Sequence, residues 1–359
     1  MSKIFFLFSG GTGGHVIPAV NFGNYLISRG YDCILLLDHR GNAYSYNFKG
    51  RICLLHSAHF SGGILFKIIS ILKLLIGLIQ SIFFLIKYRP IHCVSFGSYA
   101  SFAPLLATII MKLIRKIDIH VHEQNSIMGR VNLFFLRFTK NIFINFDNIY
   151  NLKKNLYKKT LHVGMPSKCN NRTKTIQKNR NNKKISIFLY GGSQGSIPIV
   201  NCFLLMIQKF DKKYFHKIKL FIQCPNNISG NLSKKLNELK IDYKIKDYYK
   251  NLNELLQFTD IVISRSGAGT INDIINYNIP SILFPLPHSK DNHQISNAQY
   301  LADKKVAIVM NEINFNDELG YKHLKELIDN NQIRISMRRT LEHINILDAN
   351  NLMLKKILI

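Results

Sequence analysis

Three glycine-rich runs carry the groups in this 359-residue chain whose types and spacing best suit chemistry. Ser9-Gly10-Gly11-Thr12-Gly13-Gly14-His15 follows the apolar run KIFFLF (residues 3–8) and precedes a helical pattern. There glycines let backbone approach a ligand closely, and a helix N-terminus offers unpaired N–H groups to an anion. The loop is not a Walker loop, because no Gly-Lys-Ser/Thr follows, and Val16 replaces the third glycine of a dinucleotide fingerprint. Asp38, after the next apolar run, suits a ribose and keeps a nicotinamide-dinucleotide reading open. Gly191-Gly192-Ser193-Gln194-Gly195-Ser196 repeats the arrangement, and Ser264-Arg265-Ser266-Gly267-Ala268-Gly269-Thr270 supplies a third loop before a helix. In that third segment Arg265 or the helix N-terminus could neutralise a diphosphate. Asp273 in the helix that follows could favour the dipole or reach a ribose hydroxyl.

Group transfer without a covalent intermediate needs a base for the acceptor hydroxyl and a stabiliser for the departing anion. His15 is the first candidate base, since imidazole is the side chain that changes charge near neutrality; capping or phosphate binding is its plainer role. Glu123 is the second, with holding the loop that presents Asn125 as its alternative. Ser193, the backbone of residues 268–270 and Lys168 or Arg265 are candidates for the diphosphate. No Asp-x-Asp pair, of the kind that holds the divalent ion in many metal-dependent transferases, is present.

The elements that must position these groups follow from periodicity. Strand 3–8, a helix over 16–29 ending at Gly30 and strand 33–37 form the repeating unit of a parallel sheet. The unit recurs around residues 94–95, 102–114 and 120–122. After the polar stretch 167–184 it resumes with strand 185–190, helix 199–210, strand 260–264, helix 270–277 and strand 281–284. Two doubly wound α/β halves facing a cleft are expected, with loops at the carboxyl ends of their strands. The run Ile64–Ile86 is long and apolar enough to weigh as a membrane span. Lys67, Ser70, Lys73, Gly77, Gln80 and Lys87 form a stripe along it, which favours a helix packed on the sheet with part of its surface at a lipid interface.

Composition narrows the partners. Apolar residues make up 47% of the chain, which fits a folded globular protein, and the formal charge of +27 suggests a phosphorylated substrate or an anionic membrane. Heavy use of Lys, Asn and Ile accounts for part of that charge. Cationic clusters at Lys67, Lys73, Lys112, Arg115 and Lys140 are candidates for anionic lipid, with solvated helix faces as the plainer reading. The six cysteines, Cys33, Cys53, Cys93, Cys169, Cys202 and Cys224, form no C-x-x-C pair and read as reduced structural thiols. No export signal is evident in MSKIFFLFSGG.

The first loop, His122-Glu123-Gln124-Asn125, GGSQGS, SRSGAGT and the His293-Gln294 to Asn297-Ala298 segment, in this order over about residues 3–300, resemble the lipid II-forming N-acetylglucosaminyltransferases of peptidoglycan synthesis. The resemblance implies a GT-B fold of two Rossmann-like domains. It assigns lipid I to an N-terminal, membrane-associating domain (1–162) and UDP-N-acetylglucosamine to a C-terminal domain (163–335), with a terminal helix (336–359) packing back on the first. It implies an inverting transfer to the MurNAc 4-hydroxyl without cofactor, on the cytoplasmic face of the inner membrane and without nucleic acid as partner. The family's donor contacts fall on Thr12, Gly13, Gly14, Asn125, Ser193, Tyr249, Ala268, Gly269, Thr270, Ile271, Asn272, Asp273 and Gln294. Three positions depart from the family. Lys168 stands for an arginine that could hold phosphate bidentately, Asp273 for a glutamate, and Gly269 for a common leucine. Rival readings are a UDP-N-acetylglucosamine 2-epimerase of the same fold, a basic coat protein of membrane or nucleic acid, and a nicotinamide-dependent dehydrogenase.

Overall fold

The computed structural model describes residues 3–57, 63–168, 184–191, 195–249 and 251–359. Ser193, Cys169 and most of the polar stretch 167–184 lie outside them. The chain forms two compact units, Met1–Asn170 with Leu347–Ile359, and Asn171–Ile346.

The first unit contains β1 (Ile4–Phe8), α1 (Gly13–Ser28), β2 (Asp32–Asp38), α2 (His39–Asn42), β3 (Arg51–Leu55), α3 (Ile64–Tyr88) and β4 (His92–Ser95). It continues with α4 (Phe102–Met111), β5 (Asp118–Glu123), α5 (Arg130–Phe135), β6 (Asn141–Ile144) and β7 (Thr160–His162). Its sheet runs β3-β2-β1-β4-β5-β6-β7, with every neighbouring pair parallel. The continuous apolar runs of β1 and β2 fit strands covered on both faces. Phe5 and Leu7 pack with α1 on one face, while Phe6 and Phe8 turn to the other beside Leu105 and Phe135. Order reverses between β1 and β4, so the loops after these two strands diverge and leave a crevice.

The second unit has β8 (Ile185–Tyr190), α6 (Ile197–Ile207), β9 (Ile218–Gln223), α7 (Asn226–Glu238), β10 (Asp242–Lys246) and α8 (Leu252–Gln257). Then come β11 (Ile261–Ser264), α9 (Ala268–Tyr277), β12 (Ser281–Leu283), α10 (His293–Asp303), β13 (Ala307–Val309), α11 (Asp317–Asp329) and α12 (Asn331–Glu342). The sheet, again parallel, runs β10-β9-β8-β11-β12-β13 and reverses between β8 and β11. The second and third glycine loops follow those two strands.

Two segments differ from the expected domain limits. Residues 163–168 belong to the first unit, where Val163 is buried and the Pro166 and Ser167 carbonyls accept from Asn21 (3.0 Å) and Asn350 (2.9 Å). The expected helix over 336–359 is divided: α12 lies in the second unit, and α13 (Ala349–Leu358) packs Ala349, Met353 and Ile357 with Phe5 and Leu7 of the first.

Helix α3 divides the expected stripe: Ser70 and Gly77 are buried, whereas Lys67, Lys73 and Lys87 are exposed. Ser70, Gly77, Ser81 and Leu85 are its buried positions, and it packs against α4. Ser81 Oγ donates to the Gly77 carbonyl (2.6 Å), so the small polar residues sit satisfied inside the seam. Large apolar side chains face outward instead, including Phe66 (63% exposed), Ile79 (67%), Leu72, Leu75, Phe83 and Ile86. Beyond α4, which ends at Met111 and not at 114, Leu113 and Ile114 are exposed too. Phe66–Tyr88 is the one helical segment among the described residues long and apolar enough to cross a membrane, by length and composition only.

Gly77 is what lets this helix seat, since a Cβ there would overlap the His56 carbonyl oxygen, a backbone atom that cannot swing away. Gly77→Ala is expected to destabilise the first unit by about 1–3 kcal/mol, as overpacking does, and urea unfolding measures it. An unchanged midpoint would mean that α3 does not seat this way.

Candidate active site

In the first unit, the glycine loop between β1 and α1 is shaped by Asp38. Its Oδ1 accepts from the Gly11 and Gly41 backbone N–H groups (2.8 and 2.9 Å), and its Oδ2 from the Ser57 hydroxyl (3.2 Å). The carboxylate is buried and engaged by the chain, so it is not the ribose ligand that its position suggested. Gly10 must be glycine, because a Cβ would lie 2.5 Å from Ala100 Cβ and 2.7 Å from Asp38 Oδ1. Gly11 adopts φ +74°, a left-handed conformation that favours glycine. Thr12 caps α1 through its carbonyl but makes no side-chain cap, which leaves its exposed hydroxyl for a ligand beside the N-terminus at Gly13 and Gly14.

His15, in the first turn of α1, reaches the loop after β4. Its Nδ1 is 2.9 Å from both the Phe96 carbonyl oxygen and Gln124 Oε1. Glu123, at the end of β5, is 1% exposed. Its Oε1 accepts from the Asn125 backbone and side-chain N–H groups (3.2 and 3.1 Å), and its Oε2 from Gly129 N–H (2.9 Å) and Asn132 Nδ2 (3.1 Å). Four donors on a buried carboxylate favour the second of its expected roles, holding the loop that carries Asn125. Sequence reasoning assigned no part to His122 or Gln124, although their polar run at the end of an apolar strand was a visible signal. His122 is fully buried, and its Nε2 lies 2.9 Å from the Gly164 carbonyl.

In the second unit, Gly191 and Ser196 flank the second loop, and Ser193 is outside the described residues. Arg265 is turned inward. It donates to Ser196 Oγ (2.9 Å) and the Phe284 carbonyl (3.2 Å), and it pairs with Glu312 at 2.7 Å with both side chains nearly buried. The ion pair ties the end of β11 to the segment after β13, and the two hydrogen bonds tie it to the end of β12 and the start of α6, so the guanidinium is engaged by the chain and not turned to a diphosphate. Helix α9 begins at Ala268, two residues before the expected start, and Gly267 is its N-cap. Its first N–H groups, at Ala268, Gly269 and Thr270, therefore open toward the crevice side of the sheet.

Asp273 consequently sits in the second turn of α9, where the helix dipole has little hold on it. Burial pushes its carboxyl up to about 7. Tyr190, at the end of β8, bonds Thr270, and burial, with Asp273 nearby, raises its hydroxyl well above the usual range. Ile271 is buried in the core and Asn272 is half-buried. The Ser266 hydroxyl donates to the Gln294 carbonyl (2.7 Å), and Gln294 Oε1 accepts from Leu286 N–H (3.0 Å), leaving Nε2 as the available donor. Tyr249 donates to the Lys244 carbonyl (2.8 Å) and sets its ring edge-on to Phe188; burial first of all pushes its hydroxyl up to about 12. Lys168 is exposed and belongs to the first unit.

Among the described residues, His92, Asp118 and His120 form the one group with metal-ligand types, their donor atoms within 4.8 Å of one another. Lys140 Nζ is 3.1 Å from Asp118 Oδ2, and the Asn141 amide is 3.2 Å from His120 Nδ1. The group lies toward the starts of β4 and β5, whereas His15 and Glu123 stand with their ends.

Residues 5–144 match the N-terminal domain of glycosyltransferase family 28, and residues 186–349 match its C-terminal domain. The chain is 32% identical over 335 residues to the UDP-N-acetylglucosamine–N-acetylmuramyl-(pentapeptide) pyrophosphoryl-undecaprenol N-acetylglucosamine transferase of Rickettsia canadensis, covering 93% of this chain and 92% of that one. It is 32% identical over 351 residues to the same-named protein of Rickettsia bellii, with the same coverage. Among solved structures, Acinetobacter baumannii MurG superposes with a TM-score of 0.81 at 19% identity, over 99% of both chains. The UDP-N-acetylglucosamine 2-epimerase of Neisseria meningitidis gives 0.65 at 12% identity, again over 99% of both chains. Likeness at these identities shows the shared two-domain fold; the sequence matches go further, and by them the chain belongs to glycosyltransferase family 28.

Proposed function

We propose that this chain moves N-acetylglucosamine from UDP-N-acetylglucosamine to the 4-hydroxyl of the MurNAc sugar of lipid I, giving lipid II for peptidoglycan synthesis. The observation that carries this reading is the near full-length match to relatives named for that transfer. The site geometry supports it. In the first unit, Thr12, the α1 N-terminus and Asn125 surround His15, whose Nε2 takes the proton of the acceptor hydroxyl. The hydroxyl oxygen attacks the anomeric carbon from the face opposite the UDP oxygen, so the C–O bond to UDP breaks as the new one forms and the configuration inverts. In the second unit, the first N–H groups of α9 face the diphosphate, Asp273 accepts from the ribose hydroxyls, and Gln294 Nε2 and Tyr249 line the nucleotide. An epimerase shares the fold but would release UDP without an acceptor.

The outward apolar face of α3 supports peripheral attachment to the membrane. Leu72, Leu75, Ile79, Phe83 and Ile86 fall on one arc of the helix, opposite its seam with α4. Lys67 and Lys73 are exposed at its flanks, where they meet anionic headgroups while the apolar arc enters the acyl boundary. The cytoplasmic face is the side where UDP-sugars are available.

Three outcomes test this function. Purified protein should release UDP only when a short-chain lipid I analogue is present, and His15→Ala should lower kcat by about 100-fold or more with donor binding retained. Acceptor-independent release with epimerised sugar would replace the transferase reading with the epimerase one. The second outcome concerns pH. In the ligand-free protein, Asp273 keeps its proton up to about pH 7, against 3.8 for a free carboxyl, so its contribution to stability falls as pH rises through that window. Ribose hydroxyls require the ionised form, so UDP-N-acetylglucosamine should bind about tenfold tighter at pH 8 than at pH 6, with proton release below neutrality. Titration calorimetry in two buffers reads both effects, and Asp273→Asn should flatten the dependence; a flat wild-type profile would remove Asp273 from ribose recognition. Third, Ile79→Glu should weaken binding to anionic vesicles at all salt concentrations, and Lys67→Glu with Lys73→Glu only at low salt. Unchanged vesicle binding by both variants would place the membrane contact elsewhere.

A further inference from the structure

An imidazole can act as a base only through the ring nitrogen that lacks a proton, so His15 works only if its neighbours choose its tautomer. Three backbone carbonyls make that choice, because a carbonyl oxygen can only accept. The Gly164 carbonyl, 2.9 Å from His122 Nε2, requires the proton of His122 to be there, which leaves its Nδ1 with a lone pair. Burial holds this ring neutral, its pKa lowered to about 4, against the smaller opposing effect of the Gly164 bond. The His122 carbonyl lies 3.0 Å from one terminal atom of the Gln124 amide, and His122 Nδ1 lies 3.1 Å from the same atom. Facing two acceptors, that atom must be the NH2 group. The other end is therefore the oxygen, 2.9 Å from His15 Nδ1. The Phe96 carbonyl approaches the same Nδ1 at 2.9 Å. Flipping the amide would set two oxygens against each other at the His122 carbonyl, so its orientation follows from the contacts.

We propose that Gln124 and His122 are positioning residues that, together with the Phe96 carbonyl, hold His15 with its proton on Nδ1 and its Nε2 lone pair free for the acceptor hydroxyl. The inference rests on the reading of His15 as the base, which it deepens. When Nε2 takes the proton, the charge on the ring is shared with two acceptors already in place at Nδ1. The relay needs no further proton transfer, since Gln124 exchanges none and His122 stays neutral. It also accounts for two adjoining groups. Asn145 Nδ2 donates to the Gln124 carbonyl (2.9 Å), and Asn132 Nδ2 approaches the His122 carbonyl (3.3 Å), so the backbone carrying the relay is itself fixed from two sides.

The first test is the nitrogen spectrum of the histidine-labelled full chain, with the His15 signals assigned by their loss in His15→Gln. In the neutral ring of His15, Nδ1 should show the protonated shift and Nε2 the unprotonated one, while His122 should show the opposite tautomer. A proton on His15 Nε2 would overturn the inference. The second test is kinetic. Gln124→Met, which keeps volume and loses the side-chain hydrogen bonds to His15 and His122, should lower kcat about tenfold with the donor KM unchanged. Gln124→Glu keeps an acceptor for Nδ1 but sets its other oxygen against the His122 carbonyl, so it should still lower kcat, though less than Gln124→Met, and should move the acid limb of kcat to higher pH, because a carboxylate favours the imidazolium. Equal losses in both variants, with no movement of the limb, would reduce Gln124 to packing and overturn its positioning role. Full activity in His15→Ala beside the stated tautomer would instead overturn the base reading and leave the hydrogen-bond assignment standing.

Discussion

Parallel strands cannot be joined by a tight turn, and this constraint governs where anything can bind in either unit. Each strand must be followed by a crossover, and crossovers of one hand stack strands outward in a single direction until the chain returns to the start and builds the other way. The return happens between β1 and β4 in the first unit and between β8 and β11 in the second. Only there do two neighbouring loops leave the sheet toward opposite faces. The glycine loop after β1 and the Phe96-Gly97-Ser98 loop after β4 part at that point, and His15 spans the gap by its bond to the Phe96 carbonyl. The third glycine loop and the loop after β8 do the same in the second unit, where Arg265 reaches Ser196.

Diverging loops expose backbone donors that must be satisfied, and this explains why some polar residues left two roles open in the sequence. Asp38, Glu123 and Arg265 all stand at strand ends beside glycines or turns, where a ligand contact and a loop support look alike in one dimension. Asp38 holds Gly11 and Gly41, Glu123 holds Asn125, Gly129 and Asn132, and Arg265 binds carbonyls and Glu312. A buried charge is tolerable only with such partners, because an unpaired one is strongly disfavoured. The strands that carry the glycine loops were legible because long apolar runs and glycine-rich turns leave local marks, whereas β3, β6, β7, β9, β10 and β13 were not assigned from sequence. Partners 27 or 81 residues apart, such as Gly11 with Asp38 and His15 with Phe96, leave none.

Helix α3 shows a different limit. Periodicity correctly separates a stripe of small and polar residues from an apolar remainder, but it does not say which side faces the protein. The usual assumption places the apolar side inward. Here Gly77 permits close approach to the His56 carbonyl, and Ser81 is buried with its hydroxyl bonded within the helix, so this side faces the protein and the arc from Leu72 to Ile86 is left outside. Small residues at a helix seam and large apolar ones outside are the arrangement of helices whose surroundings are lipid. The positive charge of the chain, ambiguous as a total, acquires meaning only where lysines flank such an arc.

Neither Arg265 nor Asp273 offers a simple charge beside the start of α9, and that shapes how the second unit would handle a diphosphate. Arg265 is neutralised by Glu312, and Asp273 carries a proton through much of the acid range. What remains beside the start of α9 is a set of fixed N–H dipoles. Such dipoles do not reorganise when charge moves, so their interaction strengthens as negative charge grows on the leaving oxygen, whereas binding of the intact diester gains less. A mobile cation would favour both states more evenly. The aspartate at position 273 then bears on more than its reach. Under the proposed function, this half-buried carboxyl, raised by burial to about 7, would couple recognition of the ribose to the loss of one proton.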